Sequence, residues 1–202
     1  MTEAEWLAAS EPYSMLQLLR GHGEVTRRKL QLFLAGCARR IDHFRDDPTW
    51  PDEDSVNGAK FRAQTDTAKK LANLDWFDEV IFHCGMFAND ASDGGTERHR
   101  EVAEDAAQAG LLRDIIGNPF HPISGFDLAW LEWNDGIVAR LARTAYDDRL
   151  MPERILDPAR LLILADALED AGCTDAELLN HLRAPGPHVR GCWAVDLVLG
   201  KE

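Results

Sequence analysis

The chain has 202 residues, 45% of them hydrophobic and 28% charged, with a formal net charge of −13. This is enough apolar material for a compact core, and the acidic balance argues against a nucleic-acid partner, whose phosphates such a surface repels. No stretch approaches the roughly 18 uninterrupted apolar residues of a membrane helix, and the opening MTEAEWLAAS lacks the basic and apolar runs of a signal peptide. The expectation is a cytoplasmic protein with no membrane partner. Cys37, Cys84, Cys173 and Cys192 are widely spaced, which suits reduced thiols better than a disulfide framework.

Taken in chain order, the segments read as helices. Thr2 and Glu5 form a capping box in front of EWLAA. Pro12 suits the first turn of a second helix, PYSMLQLLR, which GHG ends. A third helix is predicted over 26–44, with Leu30, Phe33, Leu34, Cys37, Ile41 and Phe44 on its buried face. Its basic residues Arg27, Arg28, Lys29, Arg39 and Arg40 form the local cationic cluster and read as a wet face. RDDPTWPDED is a loop, followed by a helical region over 54–88 with a break near 73–75.

The stretch 89–95, NDASDGG, is the clearest flexible point. A helix over 96–116 then stops at GNP, a C′ glycine followed by proline. Asp127 can cap LAWLEW, whose Trp130 and Trp133 should pack together or on the 118–120 loop. GIVARLARTAYDDR sets Val138, Leu141, Ala142 and Ala145 on one face. Asp157 and Pro158 open ARLLILADALEDAG, with Leu161, Leu164, Ala165 and Leu168 toward the core and Gly172 closing it. Thr174 and Glu177 read as a second capping box, and Pro187 opens a terminal helix that Gly200 ends.

No segment alternates like a strand. The expected fold class is all-α, a single compact bundle or array of about eight to ten helices over 1–202. A subdivision into 1–90 and 96–202 at the 89–95 loop is the alternative.

The segment ILADALEDAGCTDAELLNHLRAPGPHVRGCWAVDLVLGK is similar to the C-terminal block of an uncharacterised bacterial protein family. MTEAEWLAASEPYSMLQLLRG, RKLQLFLAGCARRI and LLRDIIGNPFHPI resemble other parts of the same proteins, so the likeness spans most of the chain and is weakest over 45–105. It implies relationship without naming an activity. Two departures stand out. Cys37-Ala38 replaces a cysteine pair of the related sequences, and His181-Leu182-Arg183 stands where many carry His-Cys-Arg. LADALEDAG also resembles a phrase in a helical companion module of bacterial repeat and signalling proteins.

Candidate chemistry concentrates in the last thirty residues. His188, Cys192 and Asp196 recur every fourth residue and would form one row on a helix. The row reads first as a polar seam in a core. It could also serve as base, nucleophile and orienter of a thiol enzyme, although a reactive cysteine wants an exposed, electropositive setting. Cys173, His181, His188 and Cys192 have ligand types suited to zinc in a C-x7-H-x6-H-x3-C spacing that matches no compact zinc motif. His83 and Cys84 are adjacent on a helix and diverge, so Cys84 reads as core. Asp166, Glu169 and Asp170 read as a solvated acidic face.

No phosphate loop, nucleophile elbow or metalloprotease motif is present. The leading expectation is therefore a non-catalytic cytoplasmic interaction or regulatory module with another protein as partner and no cofactor. A metal- or thiol-dependent hydrolase using the C-terminal His/Cys cluster is the alternative, and an acidic DNA mimic or toxin-neutralising protein is the third.

Overall fold

The computed structural model describes residues 1–22, 25–38, 40, 97–121, 126–151 and 154–201. The chain is all-α, with eight helices among the described residues. They are α1 (Glu3–Ala8), α2 (Pro12–His22), α3 (Arg27–Ala38), α4 (Glu97–Ile116), α5 (Ala129–Asp147), α6 (Pro158–Asp170), α7 (Ala176–Arg183) and α8 (Trp193–Leu199). One two-residue antiparallel pairing joins β1 (Arg149–Leu150) to β2 (Ile155–Leu156) between α5 and α6. The 89–95 loop, the 54–88 helical region, Ile41, Phe44 and the His83-Cys84 pair lie outside the described residues. No described helix is long and apolar enough to cross a membrane.

The chain divides into two compact units, Met1–Arg113 and Asp114–Glu202, and the division falls within α4. In the first unit, the Thr2–Glu5 capping box forms as the sequence predicts. Leu30, Phe33, Leu34 and Cys37 of α3 are buried, as their spacing requires. Gly36 faces Leu111 of α4: an added Cβ would stand 3.4 Å from the Leu111 side chain, an ordinary van der Waals contact. Arg113 donates from Nη1 to the carbonyls of Trp6 at 3.2 Å and Ala9 at 2.9 Å, holding the end of α1 against α4. Arg40 Nε lies 3.1 Å from both carboxylate oxygens of the buried Glu104. Burial nevertheless holds the Glu104 carboxyl above its ordinary range, outweighing the arginine.

The second unit is organised by α6. Leu161, Leu164, Ala165 and Leu168 are fully buried and meet Val138, Ala142 and Ala145 of α5, Leu178 and Leu182 of α7 and Val195 of α8 in one core. Asp157 caps α6 by accepting the Ala159 amide at 2.9 Å, ahead of Pro158. Gly172, with a φ of 96°, ends it, and the Cys173 amide donates back to the Leu168 carbonyl. Arg190 and Lys201 both lie over the ring of Tyr146, at 4.6 and 4.0 Å, and tie the C-terminal end to α5.

Two local expectations are corrected. The cap of α7 is Asp175, not Thr174: its Oδ1 accepts the Glu177 and Leu178 amides. Trp130 packs edge-on against Phe126, with ring centroids 5.2 Å apart. The break that the sequence places between LAWLEW and GIVARLARTAYDDR is present at Trp133–Gly136, where Asn134, Asp135 and Gly136 all take positive φ.

The second correction bears on function. The terminal helix does not begin at Pro187 but at Trp193. Gly191 has a φ of 97°, which no right-handed helix accommodates. The backbone before it is committed elsewhere: the His188 carbonyl accepts the Leu156 amide at 2.8 Å, and the Val189 amide donates to Asp114 at 2.8 Å. His188 therefore precedes the helix, Cys192 occupies its N-cap and Asp196 alone lies within it.

Candidate functional site

Four chemistry-bearing side chains meet inside the second unit. Asp114 comes from the last turn of α4, His181 from the last turn of α7, His188 from the non-helical segment between α7 and α8, and Cys192 from the start of α8. One ligand atom from each lies within 4.8 Å of all the others. His188 Nδ1 stands 2.7 Å from Asp114 Oδ1, and His181 Nε2 stands 3.2 Å from the same oxygen. His181 Nε2 is also 3.2 Å from Cys192 Sγ, which is 3.9 Å from His188 Nδ1.

The surroundings hold these groups in place. His188 Nε2 lies 3.1 Å from the Ala184 carbonyl, an acceptor only, so Nε2 carries a hydrogen and Nδ1 faces the cluster. Asp114 Oδ2 accepts the Val189 amide, which turns Oδ1 inward. His181 packs between the His188 ring and Trp193, with centroids 4.8 and 4.9 Å away. Trp193 in turn lies on Gly117: an added Cβ there would stand 3.1 Å from the indole.

The cluster is enclosed. Asp114, His188 and Cys192 are 4%, 2% and 0% exposed, and the His181 side chain alone is partly open, at 19%. Burial pushes Asp114 up, but the hydrogen bonds and charge of His181 and His188 outweigh it and hold the carboxyl below its usual range. Burial pulls His188 down, yet Asp114 outweighs that too and leaves the imidazole above its ordinary value. Burial, with the Asp114 charge beside it, drives the Cys192 thiol well up, while the Val195 and Ala194 amides pull it the other way. Without an ion the cluster is thus a close His188–Asp114 contact in which each group favours the other's charged form, beside a thiol that burial disfavours as a thiolate.

Compared with protein-family models, curated proteins and solved structures, the chain matches none.

Of the residues singled out in the sequence, His181, His188 and Cys192 come together. Cys173 does not join them. It is buried behind Gly172 and borders a cleft of about 430 Å³ with Glu169, Asn180 and Arg183. Asp196 is buried in α8 and stands outside the group of four. Asp166 and Glu169 are exposed and share Arg183, whose Nη2 donates to both, at 2.8 Å to Asp166. Asp114 was missed. Its signal was a lone carboxylate in the apolar run LLRDII, on the turn where Leu111, Leu112 and Ile115 are buried.

Proposed function

We propose that this chain is a non-catalytic cytoplasmic module that works by contact with another protein. The observation that carries the reading is the pair Leu162 and Ile163 on α6. They are 47% and 54% exposed, although their neighbours Leu161 and Leu164 are fully buried. An apolar pair on the solvent side of a capped, well-packed helix is the kind of feature a partner covers. With a net charge of −13, the complementary surface is an apolar ridge bordered by basic side chains. No disulfide joins the described cysteines Cys37, Cys173 and Cys192, in keeping with a reducing compartment.

The thiol-enzyme alternative draws less support. A cysteine nucleophile works as an accessible thiolate, and Cys192 is enclosed with its thiol held in the protonated form.

The test is tagged chain expressed at native level, as wild type and as a Leu162→Asp/Ile163→Asp double variant. The expected result is a stoichiometric basic protein that co-purifies with wild type, dissociates in high salt and is absent from the variant, whose melting temperature is unchanged. Isolation of the wild type as a lone monomer overturns the reading.

A further inference from the structure

We propose that Asp114, His181, His188 and Cys192 form a closed four-ligand site for one divalent transition-metal ion of the zinc class. Tetrahedral zinc with bonds of about 2.0–2.3 Å sets its ligand atoms about 3.3–3.8 Å apart. The His181–Asp114 and His181–Cys192 separations of 3.2 Å and the Cys192–His188 separation of 3.9 Å bracket that range. The shortest pair, His188 Nδ1 and Asp114 Oδ1, shares a proton at 2.7 Å. An ion replacing that proton needs the two atoms to part by about 0.6 Å.

Three features beyond proximity point to an ion. The first is the outer ring of hydrogen bonds. Metal-binding imidazoles give their second N–H to a carbonyl or carboxylate, and metal-binding carboxylates are themselves hydrogen-bonded. Ala184 performs the first service for His188, and Val189 performs the second for Asp114.

The second is charge. A thiolate and a carboxylate with two neutral imidazoles total −2, so a divalent ion leaves the enclosed site neutral. Loading is balanced by release of the Cys192 thiol proton and the proton shared by His188 and Asp114.

The third is the position of Asp114. It lies in the last turn of α4, where the helix dipole disfavours a carboxylate, and it is almost wholly buried. A cation beside Oδ1 answers both penalties.

The donor set also chooses the ion. Two nitrogens, one sulfur and one carboxylate oxygen suit zinc, or cobalt as its spectroscopic substitute, and not magnesium or calcium, which take oxygen shells. With four protein ligands and three of them enclosed, no position is open for a substrate, so the ion is structural. It would join the end of α4, the end of α7, the non-helical 186–191 segment and the start of α8.

The test uses full-length chain purified without chelator. The expected result is about one zinc per chain by elemental analysis. After stripping and refilling with Co²⁺, tetrahedral visible bands and a near-ultraviolet thiolate-to-cobalt band are expected. Cys192→Ser loses the near-ultraviolet band, whereas Cys173→Ser keeps it. Less than about a tenth of an equivalent of zinc together with no cobalt bands overturns the proposal. So do cobalt bands that lack the thiolate component in wild type. Both wild-type readouts stand even where Cys192→Ser fails to fold.

Discussion

Nδ1 of His188 lies 2.7 Å from Oδ1 of Asp114, a residue 74 positions earlier in the chain, and both side chains are almost completely enclosed. The pair joins the end of α4 to the segment that leads into α8. Removing one partner of a buried ion pair leaves the other uncompensated, which costs more than the pair itself contributes. Asp114→Asn, which keeps the shape and an acceptor for the Val189 amide, should therefore lower stability by about 3 kcal/mol or more. Urea unfolding with an unchanged m-value checks this. A loss below about 0.5 kcal/mol, typical of a neutral surface change, would show that the pair holds nothing together.

The same pair sets a pH signature. In chelator-stripped chain, Asp114 titrates below the ordinary carboxyl value of 3.8, so its contribution is present above that value and is lost as pH falls through the folded pKa. His188 titrates above 6.5, so its contribution is present below 6.5 and is lost as pH rises through the folded pKa. Stripped chain should thus gain most from the pair between about pH 4 and 6.5. Zinc-loaded chain should show the reverse slope on the alkaline side, because a ligating imidazole must be unprotonated. Thermal melts from pH 5 to 8, with zinc and with chelator, separate the two. Glu104, whose pKa burial raises, loses stability as pH climbs past 4.5. Subtracting the same melts of His188→Gln removes that background. Parallel slopes with and without zinc would contradict the expectation.

Gly117 combines a φ of 80° with an indole 3.1 Å from where a Cβ would stand. Gly117→Ala should cost about 2 kcal/mol, from left-handed strain and displacement of Trp193 together. Gly172 has a φ of 96° but open space around it. Gly172→Ala should cost only the backbone part, about 1 kcal/mol. Equal losses in denaturant melts would remove Trp193 packing from the account.

Asp175, rather than Thr174, accepts the amides at the start of α7. Asp175→Ala should lower stability by about 1 kcal/mol, and Thr174→Ala by a few tenths at most. The opposite ranking would return the cap to Thr174.

Much of the fold was legible because helices carry local signals. The Thr2–Glu5 box, the Asp157-Pro158 start and the stops at Gly117, Gly172 and Gly200 follow from side-chain chemistry within a few residues of each other. The apolar spacing of Leu161, Leu164, Ala165 and Leu168 likewise named the buried face of α6 from the sequence alone. Three of the four clustered side chains, His181, His188 and Cys192, were marked by their residue types.

Tertiary structure decided the rest. Four-residue periodicity suggests a continuous helix from Pro187, but the Val189 amide and the His188 carbonyl bond to Asp114 and Leu156 instead. Those partners are distant in sequence, so no local pattern predicts that His188 leaves the helix. The choice of Asp114 over Cys173 as the fourth member has the same origin. Cys173 lies eight residues before His181 and Asp114 lies 67 before it, yet the packing of the helix ends, not sequence spacing, sets which carboxylate or thiol reaches the imidazoles.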